Sequence, residues 1–292
     1  MLNPVTLLDM PRAAETALFT ALALLAFASN SILARLALRS YDMDAASFTT
    51  VRLVAGAVTL AFLVRIQSGS WRKLAGRGLV GPLSLFAYAP AFSFAYVRIG
   101  AAAGALLLFG AVQLTMVGWG IARGERPSPR VWLGAGVAAA GLGWLMLPSV
   151  ARPDPLGSGL MILAGISWGA YSLAGRTASD ALASNARSFL WTIPPALLLE
   201  AIAAPHVAIS SRGLALAAVA GAITSGLGYA VWYRALRGLT ATQAAFLQLS
   251  VPVIAAIGAV VVLHEAPSPR LAASAAGVLG GLALVVSRRA RR

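Results

Sequence analysis

The stretch Glu125-Arg126-Pro127-Ser128-Pro129-Arg130 recurs as Glu265-Ala266-Pro267-Ser268-Pro269-Arg270, with only Arg126 replaced by Ala266. Each copy ends a long apolar run, begun at Ile99 in one case and Leu239 in the other, and each leads into a second apolar run. The offset is 140 positions throughout (Ile99 to Leu239, Arg130 to Arg270), with no gap. Each copy therefore reads as an apolar helix that stops at Glu, a Pro-Ser-Pro-Arg turn, and the start of another apolar helix. Any two membrane hairpins rich in Ala, Leu and Gly look somewhat alike. A near-identical turn at constant spacing instead points to a transporter built from two halves.

Composition sets the class. The chain has 292 residues, 59% hydrophobic and 11% charged, where a soluble domain carries about 25% charged residues. So much apolar surface does not fit into one aqueous core. This is the profile of a polytopic membrane protein. Cysteine is absent, which excludes disulfides and thiol chemistry. A formal charge of +14 would suggest nucleic acid in a soluble protein. Here the arginines fall between apolar spans, as in a chain facing lipid, and no nucleic-acid partner is expected.

At about 20 residues per crossing, the spans are 15–35, 46–66, 78–97, 100–122, 130–148, 157–177, 186–204, 212–233, 240–263 and 270–287. The expected fold is an all-α polytopic membrane protein with ten transmembrane helices. They form two five-helix repeats, 13–148 and 157–287. An odd number per half makes the second half enter the membrane from the opposite side, so the repeats are inverted.

Charge orients the chain. With the N-terminus inside, the inner segments hold Arg12, then Arg65, Arg72, Lys73 and Arg77, then Arg123, Arg126 and Arg130. Arg176 and Arg187, Arg234 and Arg237, and the terminal Arg288, Arg289, Arg291 and Arg292 follow. That is most of the 23 Lys and Arg. The second copy of the turn has Leu263 and Ala266 where the first has Arg123 and Arg126, as expected for a loop now facing outward. Both termini are expected in the cytoplasm. Arg12, an apolar run and Ala26-Phe27-Ala28 have the outline of a cleaved signal peptide. Residues 27–35 (FASNSILAR) nevertheless pair with 168–176 (WGAYSLAGR), so the segment is read as the first span.

The chain resembles the drug/metabolite transporter superfamily in its EamA-domain branch, over nearly its whole length. The resemblance rests on Tyr233-Arg234-Ala235-Leu236, Thr240-Ala241-Thr242, Pro252 and His264-Glu265: a short basic turn, small residues, a mid-helix proline and a helix-ending Glu. The first copy departs from it, with Val112-Gln113 where the second has Pro252-Val253, so its helix is expected to be the straighter. The resemblance implies ten helices in inverted repeats and a central cavity lined mainly by spans 1, 3, 4, 6, 8 and 9. The narrower likeness is to the YddG group of amino-acid exporters.

Polar and aromatic side chains inside spans are the candidates for substrate contact, because lipid gives them no partners. Asn30 lies in the first span, and Trp168 and Tyr171 in the sixth. Tyr88 and Phe92 share one face of the third, as do Tyr229 and Trp232 in the eighth. Gln113 in the fourth and Gln248 in the ninth add amides. Phe92 and Trp232 are equivalent at the offset of 140, so they are expected to face each other. For each of these residues the ordinary alternative is an interfacial belt or helix–helix contact. Trp71, Trp119, Trp132 and Trp144 read as interface anchors or packing.

No Asp or Glu lies at the centre of a span, so a cationic drug exchanged for protons would lack its usual partner. A small neutral or zwitterionic metabolite, above all an amino acid with an aromatic or hydrophobic side chain, fits better. The expected function is a secondary transporter working by alternating access, most readily an exporter, in a bacterial cytoplasmic (inner) membrane. Lys73 as the single lysine points to a GC-rich bacterial genome. Transport of a nucleobase, sugar derivative or cationic compound remains an alternative, as does a membrane enzyme or a receptor-like protein. Against an enzyme, His206 and His264 are the only histidines and both sit at span ends; no HExxH occurs, and the GxSxG spacing at Gly165-Ile166-Ser167-Trp168-Gly169 lies inside an apolar span, not at a strand-to-helix elbow. No cofactor, metal or catalytic residue is expected. The partners expected are a small-molecule substrate and the lipid bilayer, for a chain complete as a monomer.

Overall fold

A computed structural model describes residues 12–40, 43–76, 78–99, 101–146, 154–262 and 269–286. Among them there is no strand. The helices are α1 (Arg12–Arg35, continued by a π-helical turn Leu36–Ser40), α2 (Ala45–Ser68), α3 (Val80–Arg98), α4 (Ala101–Ala122) and α5 (Pro129–Met146). They are followed by α6 (Pro155–Arg176) and α7 (Ala181–Ala203). Next, α8 comprises Ser211–Val219, a π-helical stretch Ala220–Leu227, and Gly228–Leu236. The two pieces of α9 are Ala241–Leu247 and Ser250–Val262, and α10 is Pro269–Val286. Seven of these, α1 to α4, α6, α8 and α9, are long and apolar enough to cross a bilayer. The expected fifth, seventh and tenth spans are helices outside that set. The α10 helix is apolar over only Pro269–Val285, and α7 carries Asn185, Arg187, Pro194, Pro195 and Glu200, which lower its hydropathy. Residues 263–268 lie outside the described residues, and with them Glu265 to Ser268 of the second copy of the repeated turn.

Loop acids mark where helices start. The Asp44 carboxylate accepts from the Ala46 and Ser47 amides, both at 2.9 Å, and from Ala208 at 3.0 Å. It thereby caps α2 and ties the segment before α8 to it. Partial burial, its largest single influence, would raise its pKa; the bonds from Ser47, Ala208 and Ala46 outweigh burial and hold it below the usual aspartate value. Asp154 caps α6 through Gly157 (2.7 Å), and Asp180 caps α7 through Ala183 (3.1 Å). At the other end of α4, Gly124 takes φ +88°. The Glu125 amide then bonds back to the Gly120 carbonyl at 2.8 Å, the Schellman closure that glycine permits.

The surface is inverted relative to a soluble protein. Leu114, Ile202 and Val261 are 81%, 70% and 67% exposed, while Asn185, Thr192 and Gln248 are fully buried. In lipid such helices are held by close approach of small residues and by hydrogen bonds. Along α5 and α10, a Cβ on Gly134 would stand 2.5 Å from the Gly281 carbonyl oxygen, and one on Gly141 3.2 Å from that of Ser274. Where α2 meets the π-helical stretch of α8, a Cβ on Gly221 would collide with the Arg52 carbonyl oxygen. Polar ties hold α2 to α3 and α7: Thr49 Oγ1 donates to Ser93 Oγ at 2.8 Å, and Ser47 Oγ donates to Glu200 Oε1 at 2.7 Å. The α4 helix is unbroken, whereas α9 is interrupted at Gln248-Leu249. The interruption falls four residues before Pro252, whose ring displaces the carbonyl at that distance and cannot bond to it.

Candidate functional site

Six helices meet at a cavity of about 30 Å³, the volume of one water molecule in the liquid. The α1 helix contributes Phe27, Asn30 and Ser31, α3 contributes Tyr88 and Phe92, and α4 contributes Leu108 and Phe109. Trp168 of α6, Tyr229 of α8, and Gln248 and Val251 of α9 complete the wall. A site of these side chains is apolar, aromatic and sparingly polar, the usual make-up of a small-molecule site. In this conformation it is closed around a space smaller than an amino acid.

Ring contacts set its shape. Phe27 meets Trp168 edge-on at 5.1 Å and 88°, and also reaches Tyr229 at 5.8 Å and Trp232 at 5.5 Å. Trp168 lies 4.6 Å from Tyr229 and 5.1 Å from Tyr88. Its indole N–H donates to Gln248 Oε1 at 2.5 Å, and Gln248 Nε2 donates to the Ala244 carbonyl at 3.1 Å. Gln248 lies at the interruption of α9. Asn30 Oδ1 accepts from Thr224 Oγ1 at 3.1 Å and Ser225 Oγ at 3.4 Å, both in the π-helical stretch of α8. Such single-turn irregularities recur at functional positions.

Six of the side chains singled out in the sequence thus come together on the cavity wall: Asn30, Tyr88, Phe92, Trp168, Tyr229 and Gln248. Three lie off it. Gln113 Nε2 donates to the Ala245 carbonyl at 2.9 Å, tying α4 to α9. The Tyr171 hydroxyl donates to Asn185 Oδ1, Asn185 Nδ2 donates to the Gly226 carbonyl at 3.0 Å, and the Tyr233 hydroxyl donates to the Tyr171 carbonyl at 3.0 Å. Trp232 Nε1 donates to Ser172 Oγ at 3.1 Å. Phe92 and Trp232 do not face each other: Trp232 packs on Phe27, and Phe92 on Tyr88 and Tyr96. Equivalence at the offset fixes matching positions in the chain, not a ring contact between them.

A second, wider opening of about 620 Å³ lies where α6 ends and α3 and α7 begin. Lys73, Asp180, Arg187 and Tyr233 are among its walls. Lys73 pairs with Asp180 at 3.3 Å, which leaves Arg187 as the net charge among the vestibule's described walls. Burial would raise the Asp180 carboxyl, but the Ala183 amide and Lys73 outweigh it and hold it low. Tyr233 stacks on Tyr171 at 4.9 Å, and Tyr171 reaches Trp168 at 5.7 Å. A chain of rings therefore separates vestibule from cavity.

The residue that the sequence reading passes over is Arg52. It lies inside α2, not between spans, and is 1% exposed. Its guanidinium carbon stands 5.6 Å from the ring centres of Phe48 and Tyr88 and 5.7 Å from that of Phe92. Nε and Nη1 are buried without a hydrogen-bond partner among the described residues. Each unsatisfied buried donor costs about 1–3 kcal/mol, and more when charged, while each ring returns about 0.5–2 kcal/mol. The signal was in the sequence: a single arginine within an apolar span.

The tryptophans read as anchors or packing sit elsewhere. Trp71, Trp132 and Trp144 are about half-exposed, the first under Arg65 and the last under Arg270. Trp119 lies between Arg123 and Arg176. Glu125 accepts from the Ala241 amide (2.7 Å), the Thr242 amide (3.0 Å) and Thr242 Oγ1 (2.7 Å), with Arg176 at 3.4 Å. It caps the first piece of α9 from the end of α4.

Comparison with known proteins gives three likenesses. Residues 155–287 match the EamA-like transporter family. A Pseudomonas aeruginosa protein, named only Uncharacterized protein PA1977, is 46% identical over 285 residues, spanning 95% of this chain and 96% of its own. A protein of known crystal structure superposes with a TM-score of 0.78 at 20% identity, over 94% of this chain and 98% of that one. At that identity the likeness is one of fold.

Proposed function

Residues 155–287 carry the EamA-like transporter family's pattern, and from that premise we propose that the chain is a secondary transporter for small neutral or zwitterionic metabolites. Amino acids with aromatic or hydrophobic side chains come first, moved outward across a bacterial cytoplasmic membrane by alternating access, as in the YddG exporters it resembles. The observation that carries this reading is the closed aromatic cavity. It is walled from α1, α3, α4, α6, α8 and α9, the six spans that the family resemblance implies. Phe27, Tyr88, Phe92, Trp168 and Tyr229 offer faces for an apolar side chain, and Asn30 and Gln248 are the amides on the same wall.

Two five-helix repeats of opposite orientation, at about 13–148 and 157–287, supply the mechanism in this reading. The α5–α10 seam supports it: Gly134 against Gly281 becomes Ser274 against Gly141 when the 140-residue offset exchanges the halves. Halves that exchange in this way give inward- and outward-open forms from one geometry. The 620 Å³ vestibule on the side holding Lys73 and Arg187 would be the cytoplasmic entrance, consistent with both termini inside. The chain works as a monomer in this account.

The test is counterflow in proteoliposomes loaded in turn with amino acids, nucleobases, sugars and cationic dyes. Saturable exchange of apolar amino acids is expected. Exchange confined to cationic dyes, or to sugars, would contradict the assignment.

A further inference from the structure

Resting on the transport reading, we propose that Arg52 is the anion-recognition group of this cavity. It takes the carboxylate of the solute, so that the substrates are carboxylates carrying an aromatic or apolar body. Arg52 is buried between α2 and α3 with two of its three guanidinium nitrogens lacking an acceptor. Two of the three rings stacked on it, Tyr88 and Phe92, are also walls of the cavity. The cation is not itself on the cavity wall; it stands behind it, within 5.7 Å of ring centres that a solute must touch.

The protein does not neutralise it. Among the described residues no carboxylate is paired with Arg52, and the cavity wall holds no acid. Glu200, on the α7 face against α2, gives one oxygen to the Ser47 hydroxyl and keeps the other buried without a partner, but forms no ion pair with Arg52 among the described residues. The oxygens of Asn30 and Gln248 are occupied by Thr224, Ser225 and Trp168. A guanidinium held in a low-dielectric site with free donors gains most from an anion brought in from outside, and a carboxylate matches its fork. The backbone at Arg52 is fixed, because α8 touches its carbonyl at Gly221. Accommodation is left to the Tyr88 and Phe92 rings and to opening of the cavity. Arg187, the net cation among the vestibule's described walls, favours approach of an anionic group.

The experiment compares four probes of one shape: L-phenylalanine, 3-phenylpropionate, L-phenylalaninamide and phenethylamine. Binding to the purified full chain is followed by thermal shift, and exchange by counterflow. The two carboxylates should bind at least about tenfold more tightly than the amide and the amine, a single charge-assisted contact being worth that factor. Arg52→Gln should bring all four within about threefold, and Arg52→Lys should keep the preference at reduced strength. Equal binding of acid and amide by the wild type overturns the proposal without any variant, so misfolding of Arg52→Gln cannot shield it. A folded Arg52→Gln protein that keeps the tenfold preference also overturns it, and assigns Arg52 to helix packing. Binding without discrimination refutes Arg52 alone. No binding or exchange of any probe refutes the transport reading for this solute class, and the present assignment with it.

Discussion

Replacing Glu125 by Gln tests the tie between the first copy of the turn and the start of α9. The carboxylate takes three bonds from Ala241 and Thr242 at 2.7–3.0 Å, and an arginine at 3.4 Å. Gln keeps one acceptor but sets an NH₂ against donors and removes the charge. Hydrogen bonds to charged groups are worth about 1.5–3 kcal/mol each. Because the side chain is 20% exposed, we expect a loss of about 2–3 kcal/mol, or roughly 4–10 °C in melting temperature for a chain of this size. Burial, the largest single influence, would raise the Glu125 pKa, but the bonds from Thr242 and Ala241 and the Arg176 charge bring it below 4.5. A depressed folded-state pKa means that the increment is present above the unfolded value near 4.5 and is lost as pH falls through the folded one. The assay is tryptophan-fluorescence melting of wild type and Glu125→Gln in detergent from pH 7 to pH 3. The gap should be full at pH 7 and shrink below about pH 4.5, with solute binding retained at neutral pH. Identical melting at pH 7, or a gap that widens on acidification, would refute the capping role.

Other outcomes follow from the same geometry. Trp168→Ala removes a central wall and should weaken solute binding tenfold or more, a few kcal/mol of buried aromatic contact being at stake. The half-exposed Trp132→Ala should leave binding unchanged, and a reversal of the two would misplace the cavity. Gly281→Leu drives a side chain into the backbone of Gly134 and Ala138 and should destabilise the α5–α10 seam by about 1–3 kcal/mol, read as lower melting with unchanged solute selectivity. The chain has no cysteine, so Ser128→Cys can be probed alone in intact cells. It should be protected from an impermeant thiol reagent, and labelling from outside would invert the assigned orientation.

The helices were legible because apolar runs of about 20 residues bounded by Asp, Gly and Pro leave few choices in lipid. Asp44, Asp154 and Asp180 read only as loop acids, yet their place before apolar runs is the cap signature. The interruption of α9 was foreshadowed by Pro252. Three kinds of information were not local. The π-helical stretch Ala220–Leu227 bears Thr224 and Ser225, whose bonds to Asn30 join α8 to α1, and no 3.6-residue period announces it. The partners of Tyr171 and Trp232, Asn185 and Ser172, come from tertiary packing. Arg52 was legible in principle, but counting charges by loop hides a cation inside a span.

The most direct measurement places the cavity on or off the transport path. Ser31 lines it, and Ser31→Cys would be the only thiol in the protein. In proteoliposomes running counterflow of an apolar amino acid, a small thiol reagent should stop exchange, and the transported solute should slow the reaction. A Ser31→Cys protein that is modified without loss of exchange, or whose modification rate ignores the solute, would contradict the account.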